Sequence, residues 1–297
     1  MNRLFTFGCS FTLYNWPTWA DLFGLEFPQA YNWGCPGIGN RGILERLFEC
    51  DACMNFAPTD TVIIQWTSYL RHDYMRTNTN DKEKNSSWKR ISSWKTCGSI
   101  FAKNNQNIFD RNWINKFWEE RAYFIHTLNA IVGAIGFLDG KGCKWAMTSM
   151  NDLCAVGNNI EDKTFGGEYQ NSKNLPKFWD LDKNLDFYRT KIWEDNKDKW
   201  ISPIINVKEE CPEYNAIFNF EKRTEGAWEE AHPSVMQHAI WLLSLKDYLQ
   251  LDVNLTKEQA KMVNEITNFQ NTAKDYKDFE GKINNTLWGK TIRVAGL

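Results

Sequence analysis

Two short segments near opposite ends of the chain carry the residue types of nucleophilic catalysis. The first is Gly8-Cys9-Ser10-Phe11-Thr12, which directly follows an apolar run at residues 3–7. A serine at the C-terminal end of a strand projects from the sheet edge with its own amide near a helix start. That exposes a hydroxyl and offers an anion-binding N–H. The same residues also suit a plain Ser/Thr-capped turn. The second segment is Trp228-Glu229-Glu230-Ala231-His232-Pro233-Ser234. His232 precedes the proline that opens an apolar helix, and carboxylates stand three and two residues before it. A general base needs an imidazole held in one tautomer by an acid, and close loop spacing supplies one. A capped helix start with a solvated charge pair uses the same residue types.

The elements that would position these groups alternate. Residues 3–7, 30–33, 61–66 and 144–150 read as strands. The third, TVIIQW, is β-branched and almost wholly apolar, the pattern of a strand buried on both faces. Helical spacing marks residues 17–23, 42–53, 111–135, 234–249 and 256–279. Residues 71–109 and 155–200 are polar and read as long excursions. Strand–helix alternation predicts a three-layer α/β domain with a flavodoxin-like parallel sheet flanked by helices and carrying insertions. Reactive groups in such sheets gather at the carboxyl ends of the strands, here near residues 8–12, 34–42, 67–71 and 148–152. The predicted domain spans residues 1–252, with insertions at about 71–109 and 155–200, and a helical extension at 253–297 packs on it.

Together the two chemical segments resemble the SGNH (GDSL-type) hydrolase family. A Gly-x-Ser near the N-terminus carries that family's nucleophile, and an acid-x-x-His-Pro near the C-terminal helix carries its base. Here the first block is Gly8-Cys9-Ser10-Phe11-Thr12, as in members with Cys before the serine, and the last runs from Glu229 to Pro233. Asn32-Trp33-Gly34-Cys35-Pro36-Gly37 resembles the second block. The third, usually Gly-x-Asn-Asp, is replaced by Gln65-Trp66-Thr67-Ser68-Tyr69-Leu70-Arg71, so Ser68 stands in the asparagine's place. The resemblance implies a serine esterase acting through an acyl-enzyme, with Ser10 as nucleophile, His232 as base and Glu229 as acid, Glu230 being the alternative acid. It implies an oxyanion site from the amides of Ser10 and Gly37 with the Ser68 hydroxyl. Arg71 and Thr67 are candidate substrate contacts. No cofactor or metal is expected. The substrate class is a small-molecule or glycan ester, an O-acetylated glycan being the guess that the family's phage-encoded and carbohydrate-esterase relatives suggest. Trp88, Trp94, Trp179, Trp193 and Trp200 suit stacking on sugar rings, or equally local packing. A non-catalytic glycan-binding or structural protein and an O-acyltransferase are rival outcomes.

Composition narrows the classes further. Of 297 residues, 42% are hydrophobic and 15% aromatic, ample for a packed core. Lys+Arg 35 against Asp+Glu 37 leaves no basic excess to draw the chain to nucleic acid or an anionic membrane. No apolar run is read as approaching the roughly 20 residues that span a bilayer, and residues 1–10 read as too short in their apolar part for a secretory leader. Cytoplasmic synthesis with reduced thiols is the expectation, with virion association if the chain is phage-encoded. Cys50 and Cys53 form a C-x-x-C without the second pair a zinc site needs. Gly37 to Gly42 matches G-x-G-x-x-G, but Asp60, the acid at about the right distance, stands at the wrong end of its strand for nucleotide binding. Gly289-Lys290-Thr291 lacks the first glycine of a phosphate loop. His72 and Asp73 read as a solvent-facing pair, His126 as structural and His238 as packed.

Overall fold

The computed structural model describes residues 2–75, 94–99, 111–117, 119–150, 153, 185–218, 228–229 and 232–286. Four parallel strands form the central sheet: β1 (Arg3–Phe7), β2 (Gln29–Asn32), β3 (Thr61–Trp66) and, after two strands outside this sheet, β6 (Lys144–Ser149). Their order is β2-β1-β3-β6, with Phe5 beside both Tyr31 and Val62, and Ile63 beside Ala146. Residues 200–202 extend the sheet past β6: Trp200 bridges Met147 in parallel, and the Ile201 N–H donates to the Met147 carbonyl at 2.9 Å. Val62, Ile63 and Ile64 are fully buried, as a run without polar alternation requires of a strand covered on both sides.

Helices cover both faces. α1 (Trp19–Gly24) and α2 (Asn40–Met54) follow the first two strands. α3 (Arg111–Phe117) and α4 (Glu120–Lys141) replace the single helix expected over 111–135, because Glu119 caps α4 with its own carboxylate on the amides of Arg121 and Ala122. α4 packs on α2, with Phe48 and Phe137 edge to face at 4.9 Å. Among the described residues, Arg121–Lys141 is long and apolar enough to cross a membrane by length and composition, which corrects the expectation that no segment reaches that length. Its Phe124, Leu128, Ile131, Ala134 and Leu138 are fully buried at helical spacing.

Two departures come from segments read as plain excursions. β4 (Arg71–Met75) and β5 (Trp94–Ser99) pair antiparallel inside the 71–109 region. Within 155–200, α5 (Leu185–Arg189) runs on as a π-helical turn over Thr190–Glu194. Trp193 and Trp200 pack together there at 5.5 Å, and the Trp200 Nε1–H donates to the Ile192 carbonyl. That pair serves local packing. Trp88, Trp179 and the side chain of Trp94 lie outside the described residues, as do 289–291.

After α6 (Ile204–Glu210) and the two-residue pair β7 (Ile217–Phe218) and β8 (Trp228–Glu229), α7 (Val235–Tyr248) lies beside α1, with Trp19 and Trp241 5.1 Å apart. The helix expected over 256–279 breaks into α8 (Lys257–Thr272) and α9 (Tyr276–Asn284), because Asp275 caps a new start on the Asp278 amide. Gln259 ties α8 to α1 through the Leu22 carbonyl and Glu26, and buried Lys246 on α7 meets Glu26 at 2.9 Å.

Candidate active site

The strand order changes direction between β1 and β3, and open α/β sheets place their sites beyond the carboxyl ends at that point. Ser10 lies there, 5% exposed. The chain leaves β1 in a single tight turn, the amides of Thr12 and Leu13 both donating to the Cys9 carbonyl at 2.9 and 3.1 Å. Thr12 fastens the turn. Its hydroxyl donates to Gln65 Oε1 at 2.7 Å, and its carbonyl accepts from Asn32 Nδ2 and Thr18 Oγ1. Gly8 is required by this close approach: a Cβ there would stand 2.1 Å from Thr12 Oγ1 and 3.0 Å from the Gln65 carbonyl.

The β1–β2 ladder explains an amide aimed away from the sheet. Trp33 donates to the Thr6 carbonyl and Cys35 to the Gly8 carbonyl, continuing the parallel register. The next bond in that ladder would run from Ser10 N–H to the Cys35 carbonyl. Instead the Cys35 carbonyl takes the Ile38 amide at 3.2 Å. Among the described residues the amides of Ser10 and Gly37 consequently donate to no acceptor. Gly37 turns the chain at φ +78°, a left-handed conformation that glycine adopts without strain.

His232 comes from the other end of the chain and meets Ser10, with Nε2 and Oγ 2.9 Å apart. Two devices fix its segment. Ser234 and Gln237 form a reciprocal capping box that starts α7, and the Trp16 Nε1–H donates to the Pro233 carbonyl at 3.0 Å. Tyr14 stacks on the imidazole at 3.9 Å with a 21° tilt, and Phe11 meets it edge-on at 5.6 Å. Glu229 is the last residue of β8, with its side chain outside the described residues, and Glu230 lies outside them altogether.

The residues after β3 take different parts from those expected. Thr67, expected as a substrate contact, is fully buried. Its amide donates to Asn40 Oδ1 at 2.7 Å, its carbonyl accepts from Asn40 Nδ2, and its hydroxyl faces Met150 Sδ. Asn40 thus clamps the strand exit, a role invisible in its sequence neighbourhood. Ser68 is buried at the same sheet edge, and its Oγ accepts the Leu70 amide at 3.2 Å, leaving its proton available to donate. Arg71 is buried too. One nitrogen donates to the Ile38 carbonyl and another faces Met150 Sδ, so it braces the Gly37 loop.

Asp73 corrects the expectation of a solvent-facing pair. It is buried, and its two carboxylate oxygens accept the Gly39 and Gly42 amides, each at 2.9 Å. Burial pushes its pKa up against those two bonds. Gly39 and Gly42 exist for this approach: Cβ atoms there would stand 2.7 and 2.9 Å from Asp73 Oδ2. The G-x-G-x-x-G run therefore already holds a carboxyl group of the protein itself at the N-terminus of α2, where a nucleotide phosphate would sit. His72 is half-buried against Tyr123, its Nδ1 2.7 Å from the phenol oxygen. Burial, then Arg41 and His126, hold its pKa below the usual value. His126 itself is exposed. Asp60 lies at the opposite end of the sheet, paired with Arg3 at 2.6 Å. Among the described residues no cluster of His, Cys, Asp and Glu could hold a metal. Cys50 is buried and Cys53 exposed on α2, and burial raises the Cys50 thiol out of reach of thiolate chemistry.

No protein-family model matches the chain, and no curated protein matches it. Among solved structures it is similar to a member of the lipolytic protein G-D-S-L family from Veillonella parvula. The TM-score is 0.42 and the identity 12%, over 83% of this chain and 97% of that one.

Proposed function

We propose that this protein is a serine hydrolase of the SGNH type that cleaves O-acyl esters through an acyl-enzyme on Ser10. The observation that carries it is the 2.9 Å contact between Ser10 Oγ and His232 Nε2, made by residues 222 positions apart. In the forward step Oγ bonds to the ester carbonyl carbon while its proton passes to Nε2. The tetrahedral oxyanion is met by the Ser10 and Gly37 amides, with Ser68 as a third donor. Collapse breaks the carbon–oxygen bond of the ester, and His232 returns the proton to the departing alcohol. Water, deprotonated by the same imidazole, then releases the acid and frees Ser10. Glu229 or Glu230 would hold the imidazole by its other nitrogen. The acyl group proposed is acetyl and the alcohol a glycan hydroxyl.

The test is hydrolysis of an aryl acetate by wild type, Ser10→Ala and His232→Ala, followed by an O-acetylated glycan panel. Turnover by wild type that falls about 10³-fold or more in each variant supports the reading. An inert wild type, or activity that survives Ser10→Ala, overturns it. Acetate released from aryl esters but from no glycan would remove the substrate assignment alone.

A further inference from the structure

We propose that Tyr14 is the positioning residue of the base: its ring, lying flat on the imidazole of His232, fixes the plane in which Nε2 faces Ser10. This inference rests on the esterase reading above. The contact to Ser10 sets the direction in which Nε2 points and does not by itself set the plane of the ring. The stack at 3.9 Å and 21° sets that plane from one face, while Phe11 closes on the ring edge-on. Tyr14 is itself held. Trp16 meets it edge to face at 4.5 Å and donates to the Pro233 carbonyl, next to the base. Behind them α9 supplies the backing: Phe279 packs on Trp16 at 6.1 Å, and the Asn15 side-chain amide donates to the Tyr276 hydroxyl. The chain 14–16 is therefore a strap between α9 and His232. Proton transfer turns the imidazole into a cation, and an aromatic face attracts a cation. The stack is consequently stronger as the serine attacks than in the resting enzyme, so its contribution belongs to the rate of attack.

The probe is a fluorophosphonate. Ser10 Oγ bonds to phosphorus, the P–F bond breaks with loss of fluoride, and the serine proton goes to His232. The limiting rate of inactivation, kinact, and the half-saturating probe concentration, KI, are measured on the full chain for wild type, Tyr14→Leu, Tyr14→Phe and Trp16→Phe. Each is checked for folding by circular dichroism and melting. Tyr14→Leu is expected to lower kinact about 10-fold with KI within about twofold of wild type, and Tyr14→Phe to restore kinact to within about threefold. Trp16→Phe keeps an aromatic ring beside Tyr14 and Phe279 but loses the bond to Pro233, and is expected to lower kinact too. It carries the test if Tyr14→Leu does not fold. An unchanged kinact in the folded variants overturns the proposal. So does a loss that sits wholly in KI, which would make Tyr14 a wall of the substrate cleft, or one that Tyr14→Phe does not restore. A wild type that is never labelled at Ser10 refutes the esterase reading and the inference with it, whereas a labelled wild type with indifferent variants refutes the inference alone.

Discussion

Lowering the pH from 7 should destabilise this protein through a histidine outside the Ser10–His232 pair. His238 sits in the first turns of α7, fully buried, and neither ring nitrogen has a hydrogen-bond partner among the described residues. Burial, and then the nearby His232, push its pKa down to about 3 from 6.5. The unfolded chain therefore takes up a proton that the folded chain refuses. Stability from this site is fully present above pH 6.5 and is lost progressively as pH falls toward 3. With those two values the loss is about 2 kcal/mol at pH 5 and about 3 kcal/mol at pH 4. That is a large part of a typical domain's stability of about 5–15 kcal/mol. Urea unfolding at pH 7, 6, 5 and 4 measures it, with His238→Leu as the comparison, since leucine has similar bulk and does not titrate. The wild type should lose about 2 kcal/mol more than the variant between pH 7 and 5. The variant should also be at least as stable at pH 7, because it removes a buried polar ring without partners. Parallel stability curves for the two proteins would refute the reasoning and assign the acid lability to groups they share.

Other outcomes follow from the same contacts. Asp73→Ala leaves the Gly39 and Gly42 amides buried without an acceptor and should cost about 2–5 kcal/mol in urea unfolding. Because Asp73 fills the N-terminus of α2, NAD or ATP should produce no rise in melting temperature in the wild type, and a clear rise would restore the nucleotide-binding alternative. Gly8→Ala drives a methyl into Thr12 and should destabilise the fold by about 1–3 kcal/mol while slowing serine labelling, read by melting and by labelling rate. Ser68→Ala should lower aryl-acetate turnover about 10²-fold with KM little changed, and full activity would remove Ser68 from the oxyanion site.

The strands were legible because their residues say one thing at every level. TVIIQW is too apolar and β-branched to be anything but a doubly covered strand, and residues 3–7 and 61–66 are strands at those bounds. The serine and histidine were legible because both sit at element ends, beside Gly8 and Pro233, where chain direction is marked by residues with restricted or unusual backbone needs. What escaped were pairings between polar residues distant in sequence. Nothing near Asn40 announces that it clamps Thr67, and nothing near Asp73 announces two glycine amides thirty-odd positions earlier. The surroundings of Thr67 and Arg71 were hidden for the same reason: a polar type at a strand end suggests exposure, whereas both residues are buried among partners from other elements. Helix breaks at Glu119 and Asp275 were missed because apolar periodicity runs on across a cap. A carboxylate taking the next turn's amides leaves no gap in that pattern. Nothing in the sequence around Tyr14 and Trp16 marks them, since His232 and Pro233, which they contact, lie more than two hundred residues away.

The central claim is that Ser10 and His232 form one reacting pair. Its most direct measurement is incubation with a fluorophosphonate, proteolysis, and mass spectrometry of the peptide containing residues 5–12. The account predicts a phosphonyl adduct on Ser10 that is absent in Ser10→Ala and strongly slowed in His232→Ala. An unmodified Ser10, or labelling at wild-type speed without the imidazole, would contradict it.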